Sequence, residues 1–407
     1  MDFDITKIRN DFPSLKQKFN NKPIIYFDSA CVTLRPQRVI EAIKEYYTNF
    51  PGCHIRTSHK FGQRTTERYN RAREKNRKFI NAKNVSEIIF VRNTTEAINL
   101  IANSLPFREG DIVLTTEMEH NSNFLPWQVL SRKKKFIHQI IPLNKDLTFN
   151  LEEFKKRLNE KVRLISVFHT SNVMGYTLPA SEIIELAHKY GALVLLDGAQ
   201  SISHQKIDVQ KLDVDFFVFS FHKMLGPSGM GVCYGKQALL EEMPQFLIGG
   251  ETITDAYQDS FIPAELPAKF EAGLQDYAGA LGAEAAIEYL EQIGESNIKN
   301  QEYILNSLLT EKILNLPADI TILGPRDPKL RGNIVNFIIK DIDSLALAQL
   351  LDETNNIMTR AGMHCAHPWF NTYKLPPSLR VSTYFYNTEG EAEIFIQTLE
   401  KIIKYFR

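Results

Sequence analysis

Short unbroken apolar runs, separated by amphipathic stretches, recur through the first half of this chain. Glu87-Ile-Ile-Phe-Val91, Asp111-Ile-Val-Leu-Thr115, Arg163-Leu-Ile-Ser-Val-Phe168, Leu193-Val-Leu-Leu196 and Phe216-Phe-Val-Phe219 have the length and side-chain content of fully buried strands. Helices are predicted from about Ser122 and from Pro179 to Tyr190. Upstream, Pro36 to Phe50 reads as a helix opened by proline, and Thr65 to Ala82 as one with a polar face rich in Arg, Glu and Lys. Strand and helix alternating in this way predict an α/β fold with a mainly parallel sheet covered by helices on both faces.

Past Phe270-Glu-Ala-Gly273 the pattern changes. A long helical pattern from Ala278 to about Ile293 leaves the first unit. Helices near Gln301 to Leu314, Ser344 to Asn355 and Thr388 to Phe406, with strands near Ile334 to Ile339 and Arg380 to Thr383, suit a smaller α+β domain. The expected division is an N-terminal segment 1–22 packing on the small domain, a large domain 23–280 and a C-terminal domain 281–407. Gly226-Pro-Ser-Gly-Met-Gly231 reads as a tight loop and Val232-Cys-Tyr234 as a short strand beyond it.

Composition narrows the function classes. The 48 Lys and Arg balance 48 Asp and Glu, which argues against a dedicated nucleic-acid binder. The clearest basic run, Ser131-Arg-Lys-Lys-Lys135, has no interleaved aromatics and reads as a solvated helix end. No secretory signal is visible, and no stretch approaches the roughly 18 apolar residues of a membrane span. The four cysteines, Cys31, Cys53, Cys233 and Cys365, are irregularly spaced without a CxxC pair. That disfavours zinc and a disulfide framework, makes a reducing cytoplasm the simplest home, and leaves a cysteine near histidines as a candidate nucleophile.

Ligands of open parallel sheets sit at the carboxyl ends of the strands. Asp197 ends one apolar run and Ser220-Phe-His222-Lys223 ends the next. Singly, such an Asp is often a helix N-cap and such a cluster an ordinary loop. Together they suit pyridoxal phosphate: the lysine amine forms a Schiff base with the aldehyde, and the carboxylate keeps the pyridine nitrogen protonated. The turn Asn93-Thr94-Thr95-Glu96 offers backbone N–H groups, a helix dipole and hydroxyls to a phosphate, or is a plain threonine N-cap. His120 and Asn172 follow other strands to the same edge, where an imidazole can stack on a flat ring and an amide can donate to a phenolic oxygen.

These segments, with Ser171-Asn172-Val-x-Gly, Asp197-Gly-Ala-Gln200 and Arg360-x-Gly-x-His-Cys365, closely resemble group II cysteine desulfurases of the class V aminotransferase family, which have the type I PLP fold. The likeness runs from about Tyr26 to nearly the end. It implies that Lys223 carries the cofactor, Asp197 pairs with the pyridine nitrogen, His120 stacks on the ring, and Gln200 and Asn172 approach its phenolic oxygen. Thr94, Thr95, Ser220 and His222 would bind phosphate. Arg380 would fork onto the substrate α-carboxylate, with Arg360 and Asn172 also at the substrate. Cys365, in a polar loop flanked by histidines and an arginine, would be the thiolate nucleophile. The implied reaction converts L-cysteine to L-alanine, leaves a persulfide on Cys365, and passes that sulfur to an acceptor protein for iron–sulfur cluster or other sulfur-transfer chemistry; a homodimer is implied. The rival readings are a selenocysteine lyase, a cystine or cysteine-sulfinate lyase, or an aminotransferase of the same family. A non-catalytic scaffold would be expected to have lost Lys223 or Asp197.

Four places depart from the family pattern. Asn93 stands where glycine is common, suggesting a left-handed or tight backbone. Tyr277 replaces a threonine that reaches the neighbouring subunit's phosphate, and is expected to keep that contact through its phenol. Ile55 replaces a histidine, with His54 one place early while Arg56 and His59 match. Glu251 follows Gly249-Gly250 where a small or apolar residue is expected.

Overall fold

The apolar runs pair, with two further strands, into one seven-stranded sheet of the computed structural model, which describes residues 3–55 and 57–406. In chain order its strands are β1 (Ile88–Val91), β2 (Ile112–Thr116), β3 (Ile137–Ile141), β4 (Val162–Phe168), β5 (Leu193–Asp197), β6 (Phe216–Ser220) and β7 (Gly231–Gly235), and their spatial order is β1-β7-β6-β5-β4-β2-β3. Every pairing is parallel except those of β7, which runs antiparallel to both β6 and β1. The loop between β6 and β7 is too short for a crossover, so the chain returns antiparallel, turning at Gly229 with φ +80°. β3 went unread in the sequence because it is an edge strand: Ile137 and Ile140 are exposed, so no continuous apolar run marks it.

The strands expected from the sequence agree to within a residue or two, but two helices begin earlier than their apolar pattern. Lys60–Phe79 is capped by His59, whose Nδ1 accepts from the Gly62 N–H, and Glu295–Leu314 starts directly after Gly294; both first turns are polar on the outside. The basic run ends the helix Asn121–Lys134, with Lys135 left-handed at its C-cap.

The smaller unit is a four-stranded antiparallel sheet in the order Ile320–Ile322, Ile334–Ile339, Ser378–Ser382, Arg360–Gly362. Leu305, Leu309, Phe337, Leu379, Phe395 and Leu399 fill the core between this sheet and its helices. Ile25 and Phe27, counted with the large domain in the sequence, also pack in this second core, because Ile25–Tyr26 pairs in parallel with Ile357–Met358. Near the N-terminus Arg9 donates to the Tyr386 carbonyl at 2.6 Å and pairs with Glu391 at 2.8 Å, while Phe12 is buried among Tyr289, Phe385 and Tyr386.

One buried ion pair ties the helix Lys60–Phe79 to β1. Glu271 accepts from Arg73 at 2.6 and 2.8 Å, from the Tyr69 hydroxyl at 3.0 Å and from the Phe90 N–H at 2.7 Å. Arg73→Leu strands this carboxylate in the interior. We expect a loss of about 3–5 kcal/mol, read as a lower urea midpoint, with Glu271→Gln on the same background recovering part of it.

Candidate active site

Because β1, β2, β4, β5 and β6 point the same way, their carboxyl ends share one edge of the sheet. Residues 360–380 of the smaller unit close over that edge, leaving a cavity of about 270 Å³. Asp197 and Lys223, each at the end of a central strand, both border it. Asp197 Oδ1 accepts from the Ala199 N–H at 3.0 Å, and its other oxygen meets no donor among the described residues. Burial raises the Asp197 carboxyl; the Ala199 N–H and the Lys223 charge pull it back only in part. The Lys223 side chain makes no hydrogen bond among the described residues, and burial pushes its amine below the ordinary lysine value despite the attraction of Asp197.

At the end of β1, Asn93 caps the helix Thr94–Ser104, its side chain accepting from the Glu96 N–H. Asn93 has φ −175°, extended backbone open to any residue, so the expectation of a left-handed or glycine-specific site is corrected. The close approach is made instead by Gly231, where a Cβ would stand 2.9 Å from the Asn93 Cα. Ser220 accepts from the Thr94 N–H at 2.8 Å and shares a 2.7 Å hydrogen bond with its hydroxyl, while the Thr95 and Ser122 hydroxyls pair at 2.7 Å. With His222, these groups form one wall of the cavity.

His120 borders the cavity from the end of β2. Its Nδ1 accepts from the Ser122 N–H at 3.0 Å, which puts the ring proton on Nε2, and burial with the nearby Lys223 and Arg380 charges holds the imidazole at about 3. Gln200 Nε2 donates to the Ala30 carbonyl at 2.8 Å, which anchors the segment carrying Asp28 and Cys31.

The smaller unit supplies the opposite wall. Arg380 donates to the Asn172 carbonyl at 2.9 Å and lies 3.4 Å from Asp28, while its buried Nε has no partner. Arg360 forks onto the same Asp28, with contacts from 2.6 to 3.0 Å. Cys365 is exposed, and both it and His364 have left-handed backbones, φ 56° and 49°. The loop is tied across the cavity: Asn172 Nδ2 donates to the His364 carbonyl at 2.6 Å and the Asn121 N–H to the Cys365 carbonyl at 2.6 Å.

Of the site residues expected from the sequence, Tyr277 alone is not brought to this cavity. It is 3% exposed, packs against Tyr46 and Tyr69, and its hydroxyl accepts from the His54 N–H at 3.2 Å. The larger ring completes an aromatic cluster, so its hydroxyl is already engaged within its own chain. His54 lies in the same cluster, so the two departures from the family pattern meet there. Ile55 beside it is left-handed and 59% exposed, and Arg56 lies outside the described residues. Glu251 also has a left-handed backbone, φ 69°. Asp28, Cys31 and Ser122 went unread: nothing near Asp28 in the sequence reveals two arginine partners over 300 residues downstream.

Burial holds His120, His169, His222 and His364 neutral. Burial sets His169 and His222 at about 4 and His364 at about 2, against roughly 6.5 for a free imidazole. A depressed folded value means the stabilisation is complete above about pH 6.5 and is lost as pH falls toward the folded values, because the unfolded chain binds the protons first. We expect these histidines to lower the urea midpoint between about pH 7 and pH 5, on the order of 1–2 kcal/mol per buried imidazole, opposed over the same range by Glu119, whose buried carboxyl is pushed up to about 8 and takes up its proton as pH falls.

The profile of the class V aminotransferases matches residues 25–395. The chain belongs to this family. Members similar to it over almost their whole length include cysteine desulfurases. A probable cysteine desulfurase of Halalkalibacterium halodurans is 42% identical over 98% of both chains, and one of Synechocystis is 40% identical over 98% of this chain and 96% of its own. Among solved structures, the apo cysteine desulfurase of Thermococcus onnurineus superposes with a TM-score of 0.93 at 34% identity over 98% of both chains. The S-sulfonic acid form of the Escherichia coli cysteine desulfurase CsdA gives 0.89 at 30% identity over 99% of both.

Proposed function

We propose that this protein is a pyridoxal-phosphate-dependent cysteine desulfurase that converts L-cysteine to L-alanine and takes the sulfur onto Cys365 as a persulfide. The observation that carries this reading is the convergence of the Lys223 amine, the Asp197 carboxylate and the Cys365 thiol on one cavity. The donor set suits the cofactor. A buried carboxylate with an unmet oxygen fits a protonated ring nitrogen, and a helix N-terminus flanked by Thr94, Thr95, Ser220 and His222 fits a phosphate. When bound, the cofactor supplies an electron sink for the carbon bearing the substrate amine.

The remaining steps belong to the chain's own residues. Arg380 forks onto the substrate carboxylate; Asp28, already shared with Arg360, orients that guanidinium and partly neutralises it. Lys223, with its lowered amine pKa, takes the proton from the substrate Cα. His120 covers the ring as a neutral imidazole whose Nε2–H is free to serve a proton at the reacting atoms. The Cys365 thiolate attacks the substrate sulfur, the carbon–sulfur bond breaks with its electron pair left on carbon, and the three-carbon fragment takes a proton at Cβ and recovers the Cα proton from Lys223 to leave as alanine.

The reading extends to partners. The segment around the hairpin Ile253–Ala256 and Phe261–Pro263 exposes Leu247, Ile248, Tyr257, Phe261, Ile262 and Leu274, an apolar face suited to a second copy in a homodimer. The exposed Cys365 suits delivery of sulfur to an acceptor protein, and four free cysteines suit a reducing cytoplasm. No helix among the described residues is long and apolar enough to cross a membrane.

The test is a product balance: cofactor-loaded protein given L-cysteine and a thiol reductant is expected to yield alanine and sulfide in equal amounts. Pyruvate and ammonia in place of alanine would overturn the reading in favour of a lyase.

A further inference from the structure

Two of the four cysteines border one cavity. Cys233 lies in the middle of β7, fully buried, and burial raises its thiol to about 12; it is a packing residue. Cys53 is exposed and does not border this cavity. Cys31 differs from both. It is half-buried, makes no hydrogen bond through its sulfur among the described residues, and borders the cavity that Cys365 and Lys223 also border.

Its position is fixed from several sides. The Ser29 N–H donates to the Ser382 carbonyl at 3.1 Å, the Ala30 N–H to the Ser382 hydroxyl at 3.0 Å, and the Cys31 N–H to the Asp28 carbonyl at 3.0 Å. Asp28, three residues earlier, binds both Arg360 and Arg380. The Lys223 amine lies within electrostatic reach of both thiols, and the Arg360 and Arg380 guanidiniums within reach of Cys31. Positive charge from Lys223, Arg360 and Arg380, offset in part by Asp28, therefore lies near the Cys31 thiol. A packing role needs no exposure to the cavity and no ring of cations.

We propose that Cys31 is a second sulfur-accepting thiol of this site, taking the outer sulfur of the Cys365 persulfide inside the cavity; this rests on the desulfurase reading. The Cys31 thiolate attacks that outer sulfur, the bond from it to the Cys365 sulfur breaks, and the electron pair returns to Cys365 as thiolate. One sulfur–sulfur bond replaces another, so no oxidant or reductant is consumed. Cys365 is then free to take sulfur from a second substrate, and each subunit holds two.

The test uses the cofactor-loaded protein with excess L-cysteine and neither reductant nor acceptor, followed by alkylation, digestion and mass spectrometry of the cysteine peptides, with alanine measured in parallel. We expect an added sulfur on both the Cys31 and Cys365 peptides, and transferable sulfur falling from about two per subunit to about one in Cys31→Ser. Cys365→Ser is expected to lose the sulfur on both. Added sulfur on Cys365 alone in the unsubstituted protein, or a Cys31–Cys365 disulfide with sulfide released, overturns the relay while leaving the desulfurase reading intact. No alanine and no added sulfur on any peptide overturns both.

Discussion

Lys223→Ala is expected to lower kcat for L-cysteine by ~10³-fold or more while the protein stays folded. The side chain makes no hydrogen bond or ion pair among the described residues, so its truncation breaks no internal contact. Burial already disfavours its charge, so removing the amine relieves a desolvation cost. The chemistry loses both the group that anchors the cofactor and the base for the substrate Cα proton. Lys223→Arg separates these roles from charge alone: a guanidinium keeps the positive charge beside Asp197 but does not give up its proton near neutrality. It is expected to be as inactive as the alanine variant. The check is the turnover rate together with the borohydride-reducible absorbance of reconstituted protein. Near-normal turnover in either variant would remove Lys223 from the mechanism.

The legibility of this site followed its construction. Asp197, Ser220 and Lys223 were readable because each lies within four residues of the end of a short apolar run, and a buried parallel strand both announces itself and fixes where its end must lie. Cys365 and Arg380 needed more. They belong to a second unit whose strand Arg360–Gly362 is polar and glycine-containing, so the family likeness, not periodicity, brought them into view. Asp28 and Cys31 carried no local signal at all, since their surroundings are assembled by arginines from the far end of the chain. At Tyr277, where the family pattern has a threonine, the surroundings are shaped by the larger ring. The aromatic cluster of Tyr46, Tyr69 and His54 packs around that ring.

Cys365→Ser is expected to lose ~10²-fold or more of the cysteine-dependent alanine yield, with cofactor absorbance and fold unchanged. The loop does not depend on the thiol: its two cross-cavity hydrogen bonds run to the carbonyls of His364 and Cys365, and His364 Nε2 pairs with the Ser378 hydroxyl at 3.0 Å. Those bonds hold two successive left-handed non-glycine residues, a conformation that costs of order 1–3 kcal/mol per residue and is kept only where its surroundings enforce it. Serine leaves every one of these contacts in place and changes only the atom offered to the substrate sulfur. A hydroxyl is hardly ionised near neutrality and forms no stable bond to sulfur, so the carbon–sulfur bond should hold even though the substrate still binds and still loses its Cα proton. The discriminating measurement is therefore exchange of the Cα hydrogen with deuterated solvent, expected to persist in Cys365→Ser while alanine formation fails. Loss of both would mean that the substitution damaged the loop. Full retention of alanine and sulfide would exclude Cys365 as the required acceptor, and with it the relay from Cys365 to Cys31.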